Sequence, residues 1–361
     1  MQLEIRDRQG VKILHYDEAV KYHGGFHVAG VALAWKFLEG ALSQCCGALS
    51  RDNIQLTLGA TPPGVTDCLE YATRALSRRR AIVEPGFMGG PEVCCGSLSF
   101  ALTCGKGKVL ATVRDDALPK EFVDTAVRID AGLASDKEIE EWRETSLALS
   151  SLFLAKDPEE LFLITREGSL EESRKSGKTD VAAYPPADYN VTELPPLKVQ
   201  DENGVTEIRL EEMIRFHDKD HFAGVVLAYK LLSMAFDDLW GDEIPHRKDI
   251  TILSGLNPPG LIDGFEYVAR AVSRQRHCLI ASGNGAPLSP FGKFVFQVSN
   301  GDKHCALKLR QGLLPEDFAS IGRKAEAGLA DAGELARWES YKHGIGIILA
   351  GMDVAEILET A

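Results

Sequence analysis

Apolar positions fall into blocks with a readable period along most of the chain. Val28 to Leu42 is apolar on nearly every face and contains no proline, which predicts a helix buried on all sides, and Phe222 to Leu239 repeats the pattern. Asp17 to Tyr22 and Glu211 to Phe216 predict a short helix leading into each. Asn53 to Leu58 and Asp249 to Leu253 are partly alternating runs that fit strands, and Pro-Pro-Gly follows each. Two prolines cannot continue a central strand and the glycine admits a tight turn, so strand, turn and helix are expected in that order. The helix is expected from Val65 to Arg78, with Asp67, Tyr71, Arg74 and Arg78 on one face and Glu70 in reach of Arg74. Ser97 to Thr103 and Lys108 to Arg114 alternate around Gly105-Lys106-Gly107 and predict a hairpin. Lys293 to Val298 and His304 to Arg310 predict its counterpart. Helices are expected over Glu121 to Ala131, Ser135 to Ser151 and Pro158 to Ile164, with matching segments ending at Ile357.

The pairing of these blocks is an internal repeat. Thr61-Pro62-Pro63-Gly64 answers to Asn257-Pro258-Pro259-Gly260, Glu70-Tyr71 to Glu266-Tyr267, Arg74-Ala75 to Arg270-Ala271, Arg80 to Arg276, and Trp142 to Trp338. Each copy has the size of a domain, so the chain reads as a tandem duplication. The expected organisation is a first domain over residues 1–166, a linker over 167–206 and a second domain over 207–361. Glu167 to Thr179 is rich in Ser, Glu, Lys and Gly, and the Pro-Pro pairs behind it favour extended backbone. Strands flanked by runs of helix, with a hairpin in place of strict alternation, predict an α+β class. Each domain would be a small, mainly antiparallel sheet with packed helices, the two arranged as a pseudo-twofold dimer within one chain.

Charge removes some partners. With 53 acidic against 40 basic residues and a formal net charge of -13, neither nucleic acid nor an anionic membrane is an expected partner. The first residues lack the apolar core of a signal peptide and no run is long enough to span a bilayer, so the expected compartment is the cytoplasm. The eight cysteines are then expected as thiols. The adjacent pairs Cys45-Cys46 and Cys94-Cys95 have no counterpart in the second copy. They fit a soft-metal or redox site, or small buried hydrophobes.

Candidate chemistry gathers before each buried helix. His23 and His27 in the first copy, and His217 and His221 in the second, lie four residues apart with a glycine three residues further on. Imidazoles at that spacing converge on a metal if the segment is helical, and zinc or another divalent transition metal would still need one or two more ligands. Candidate carboxylates are Asp67 and Asp263, or Asp218 and Asp220 in the second copy only. The alternative is that the histidines bond to backbone at helix ends. Asp67 and Asp263 are also read as caps in the first turn of the Pro-Pro-Gly helix. Arg74 and Arg270 are the arginines best placed to grip a small carboxylated molecule, with an ion-pair network as the alternative.

The order of helix, histidine-glycine loop, apolar helix, strand, glycine-aspartate helix start and hairpin resembles the FmdE-like family, which takes its name from a component of formylmethanofuran dehydrogenase. That family's hallmark is Phe-His-Gly-His-x-Cys-Pro-Gly, then an apolar Leu-Ala-x-Gly helix, and later a Gly-Val-Asp turn. Tyr22-His23-Gly24 and Gly30-Val31-Ala32-Leu33-Ala34 match the two ends of the hallmark, and Gly64-Val65-Thr66-Asp67 resembles the later turn with one residue added. The resemblance covers roughly the first two thirds of each copy. It implies metal binding in one-carbon and molybdopterin-linked oxidoreductase systems. The sequence departs from the pattern where the family cysteine would stand, at Val28 in one copy and Phe222 in the other, neither of which binds metal. The resulting expectation is metal or small-ligand binding at the histidine loops, accessory to an oxidoreductase or one-carbon pathway. Against it stand a scaffold with degenerate sites and an enzyme acting on a small carboxylated substrate.

Overall fold

The computed structural model describes residues 1–7, 10–44, 50–93, 95–104, 107–168, 194–202, 204–217, 222–280 and 285–361. Cys45-Cys46, Cys94, the Gly105-Lys106 turn, Asp218, Asp220, His221 and most of the expected linker lie outside them. The chain divides into two compact units, Met1–Pro186 and Ala187–Ala361, and its class is mixed α+β. No helix among the described residues is long and apolar enough to cross a membrane.

Unit 1 opens with a hairpin of β1 (Gln2–Asp7) and β2 (Gly10–His15), in which Leu3 pairs with Leu14. Helix α1 (Tyr16–His23) follows directly and stops at Gly24, whose φ of 60° takes the chain out of the helix. Helix α2 (Val28–Gln44) is buried on almost every side, as its pattern predicts. Its Phe37 meets Phe100 at 5.2 Å between ring centroids, and Phe100 meets Phe162 at 6.4 Å. Each such buried side chain contributes about 1.5–3 kcal/mol. After β3 (Gln55–Leu58), Pro62 and Pro63 start α3 (Pro63–Thr73) with proline where no amide partner is needed.

The remainder of unit 1 comprises β4 (Ala81–Val83), the short pair β5 (Glu92–Val93) and β6 (Gly96–Ser97), and the hairpin β7 (Ser99–Cys104) and β8 (Gly107–Val113). Then come α4 (Lys120–Asp130), α5 (Asp136–Ala155), α6 (Pro158–Leu161) and β9 (Phe162–Gly168). The main sheet has the order β4-β3-β7-β8-β9 and is antiparallel except where β3 runs parallel to β4. Ser135 and Glu138 form a reciprocal capping box at the start of α5.

Unit 2 repeats the order: β10 (Leu197–Asp201), β11 (Gly204–Ile208), α7 (Leu210–His217), α8 (Ala223–Trp240), β12 (Thr251–Leu256), α9 (Pro259–Ala269) and β13 (His277–Leu279). It continues through β14 (Leu288–Ser289), β15 (Gly292–Ser299), β16 (His304–Leu309), α10 (Phe318–Glu326), α11 (Ala332–Gly351), α12 (Val354–Ile357) and β17 (Leu358–Thr360). Its sheet order is β13-β12-β15-β16-β17, with β14 on β15.

Three expectations change. Pro158 to Ile164 is not one helix: α6 lasts a single turn and the chain becomes β9, because Phe162 is needed in the core and Leu163 pairs with Thr112 on β8. Leu197 to Ile208, expected to fall largely in the linker, is a hairpin equivalent to the one that opens unit 1, so the repeat starts earlier than the histidine loop. The helix expected to reach Arg78 ends at Thr73, where Arg74 turns left-handed at φ 53°. Its terminal carbonyls are taken by arginines: Arg51 donates to Tyr71 and Ala72 at 2.9 and 2.7 Å, and Arg80 to Thr73 at 3.0 Å. The Glu70 carboxylate accepts the amides of Leu76 and Ser77 and the Ser77 hydroxyl, which bends the chain back and displaces a further turn of helix.

Candidate functional site

Three elements bring the first site together. Helix α1 delivers His23 at its last residue, the Gly24-Gly25-Phe26-His27 loop crosses to α2, and α3 presents Asp67 from its second turn. His23 Nδ1 donates to Asp67 Oδ2 at 2.8 Å, and both side chains are buried. Asp67 is therefore not a first-turn cap. It orients an imidazole, as a carboxylate on one ring nitrogen does. The opposite edge of the ring lies against Gly25, where a Cβ would come within 2.8 Å of Nε2. Tyr71 donates to Glu18 at 2.6 Å and ties α3 to α1 one turn further on.

The same pair stands in unit 2. His217 Nδ1 donates to Asp263 Oδ2 at 2.7 Å, again from the last residue of one helix to the interior of the Pro-Pro-Gly helix. In both units the helices that frame the loop meet through glycine. A Cβ on Gly64 would lie 2.1 Å from the His27 carbonyl, and one on Gly224 would lie 2.8 Å from the Leu261 amide.

His23 and His27 do not share a helix turn, because Gly24 ends α1 and α2 begins at Val28; their ring centroids are 6.2 Å apart. His27, half-buried, faces another way and packs against Trp142 of α5 at 5.0 Å. Among the described residues no group of three or more His, Cys, Asp or Glu is placed to hold a metal ion. The loop of unit 1 therefore does not fit a zinc site, which takes four ligands in structural form and three plus water in catalytic form.

Arg74 and Arg270 stand away from the histidines, at the C-terminal ends of α3 and α9. Both are left-handed helix caps, their amides donating to Glu70 and Glu266. Arg270 also lies 3.6 Å from Asp201, which Arg247 approaches at 3.4 Å. These are ion pairs and caps at the helix end opposite to the Pro-Pro-Gly turn.

A cavity opens on the other side of the unit 1 loop. It measures about 80 Å³, and its walls include Leu33, Val65, Leu98, Phe122, Val123 and Trp142, with the half-buried His27 and the exposed Asp130 also lining it. Neither His23, Asp67 nor Arg74 lines it. Trp142 stacks flat on Phe122, 4.8 Å between centroids and 7° between planes, while its indole N–H donates to the Phe122 carbonyl at 2.9 Å. Ser146 of α5 accepts from the Ala29 amide at 3.2 Å and donates to the Phe26 carbonyl at 3.0 Å, locking the start of α2 beside the cavity.

The histidines and Asp67 were legible in the residues, and this wall was not. Trp142 was visible only as a residue recurring at Trp338. Phe122, matched by Phe318 in the second copy, sits on α4, where the sequence pattern predicts a helix and no more. No protein-family model matches the chain, and no curated protein matches it.

Proposed function

We propose that the chain is an FmdE-like ligand-binding protein in which the histidine loop of unit 1 forms one side of a site for a small molecule, in a role accessory to oxidoreductase or one-carbon chemistry. One observation carries the binding part: the buried His23–Asp67 pair fixes a loop whose next histidine, His27, lines an apolar cavity. A rigid polar frame beside an apolar space with few polar groups is the usual construction of a small-molecule site. The pathway rests on the family resemblance alone. The pseudo-twofold pairing of the units rests on the repeat; a scattering profile of two independently tumbling bodies would rule it out.

His23–Asp67 acts as a positioning pair and His27 as the side chain that meets the ligand. A divalent metal is the competing occupant, and the donor set does not favour it. Elemental analysis and native mass spectrometry of the full chain, purified without chelator, decide between them. The expected result is a small organic mass retained by the native protein and lost in His27→Ala. Zinc or another metal at one equivalent per chain, lost in His23→Ala with His27→Ala, would replace the small molecule by a metal. Neither species on the native protein, with soaked ligands and added metal also failing to bind, would leave a scaffold.

A further inference from the structure

The helix over the cavity differs from its counterpart in a way that specifies the ligand. Among the described residues of α4 none is buried, although Phe122, Val123 and Ala126 line the cavity. An apolar helix face left half-exposed over an apolar space gains further burial when something enters beneath it. The equivalent α10 of unit 2 is seated: Ile321 and Gly322 are buried, and a Cβ on Gly322 would lie 2.2 Å from Pro290 and 2.7 Å from the Trp338 ring. Ala126 stands where unit 2 has Gly322. Unit 2 also places Phe222 at the position of Val28, fully buried with its ring 2.6 Å from where a Gly346 Cβ would stand.

The walls say what can enter. Two helices begin at the cavity, and the first amides of α2 are engaged: Ala29 donates to Ser146, and Gly30 and Val31 to the His27 carbonyl. Pro62 and Pro63 have no amide to offer. Among the described residues no Lys or Arg lines the space, whereas the exposed, acidic Asp130 does. An anion would meet a carboxylate and no cationic side chain there, and any full charge would be desolvated at a cost of several kcal/mol. The cavity's 80 Å³ is below the roughly 150 Å³ of apolar cavities that take benzene whole, so a single ring is the largest group it admits, with part of that ring left outside.

We propose that the cavity between α4 and the starts of α2 and α3 in unit 1 binds a compact, uncharged molecule with a single apolar ring and one hydroxyl or N–H group, and that the matching place in unit 2 does not. The ring lies under Phe122 and Val123, against Leu33 and Val65, and its polar group meets the His27 imidazole. The proposal rests on the reading of the unit 1 histidine loop as a ligand site, and it adds the class of ligand and the restriction to one unit.

The test uses the full chain and fluorine NMR, with 4-fluorophenol as probe and 4-fluorobenzoate as its charged control. Saturable binding of 4-fluorophenol is expected, with the benzoate weaker by about tenfold or more. Ala126→Leu fills the cavity from α4 without touching the histidine loop and is expected to weaken the phenol by about tenfold or more. If that variant does not fold, Val123→Phe replaces it on the same wall. Binding that survives both substitutions, equal binding of the benzoate, or no saturable binding by either probe overturns the proposal. A small organic mass retained by the native protein and lost in His27→Ala would meanwhile keep the histidine-loop reading, so the two can fail separately.

Discussion

Units 1 and 2 share a frame and differ in what it surrounds. Both hold a histidine at the end of one helix against an aspartate inside the next, at 2.8 and 2.7 Å, and both press two helix starts together through glycine. Both cap the Pro-Pro-Gly helix with arginines from outside it, Arg80 donating to Thr73 at 3.0 Å and Arg276 to Ala269 at 2.7 Å. Around this frame the side chains diverge. Tyr16 bonds to Ser150 at 2.9 Å in unit 1, whereas Leu210 and Gly346 take those places in unit 2 beside the Phe222 ring. The histidine–aspartate pair is thus common to both units, and the ligand site proposed for unit 1 lies where they differ.

The largest effect should come from the shared frame. Asp67→Ala and Asp263→Ala each leave a buried imidazole without its carboxylate and should destabilise their own unit by about 3 kcal/mol. Chemical denaturation followed by a probe in each unit would read this. Comparable losses support a structural pair in both copies, while a loss confined to one unit would break the equivalence.

Gly322→Ala comes next. The added methyl has Pro290 and Trp338 in its way, so unit 2 should lose about 1–3 kcal/mol and α10 should lift toward the position α4 holds. Hydrogen exchange across residues 318–326 would show faster amides. Unchanged exchange and stability would mean that this glycine is not what seats the helix.

Thiol reactivity should show the smallest and most local difference. Burial pushes the Cys305 thiol up to about 12, with the neighbouring Asp238 adding to it, and burial likewise raises Cys68 well above the usual thiol range. Cys278 is exposed. At pH 8 a thiol reagent should modify Cys278 rapidly and leave Cys305 and Cys68 protonated and protected. A raised folded-state value favours the native protein below the unfolded thiol value. The contribution should therefore be present at neutral pH and disappear as pH rises from about 9 toward 12. Peptide mapping after labelling at pH 8 checks it, and early labelling of Cys305 would contradict it.

Much of the frame was legible in the residues. The apolar pattern of Val28 to Leu42, the Pro-Pro-Gly turns and the main hairpins become α2, the starts of α3 and α9, and the β7–β8 and β15–β16 pairs. The alternation of Leu3 and Ile5, and of Leu197 and Val199, also carried the period of a strand, but each run is short and precedes the part of the repeat with strong identity. The end of α3 was not legible, because Arg74-Ala75-Leu76-Ser77-Arg78 has good helical propensity. A long-range capture of the helix carbonyls by Arg51 and Arg80 overrides it. The histidines were visible, but their spacing suggested one helical face when Gly24 places them on either side of a helix break. The cavity wall was least legible, since Phe122, Trp142 and Leu33 become a wall only through packing among α2, α4 and α5.

The most direct test of the central claim, that unit 1 carries the ligand site within a frame common to both units, is the stoichiometry of 4-fluorophenol on the full chain at equilibrium. One site per chain, weakened by about tenfold or more in Ala126→Leu and retained in Gly322→Ala, is the predicted result. Two equivalent sites, or a single site that Ala126→Leu leaves intact, would contradict it.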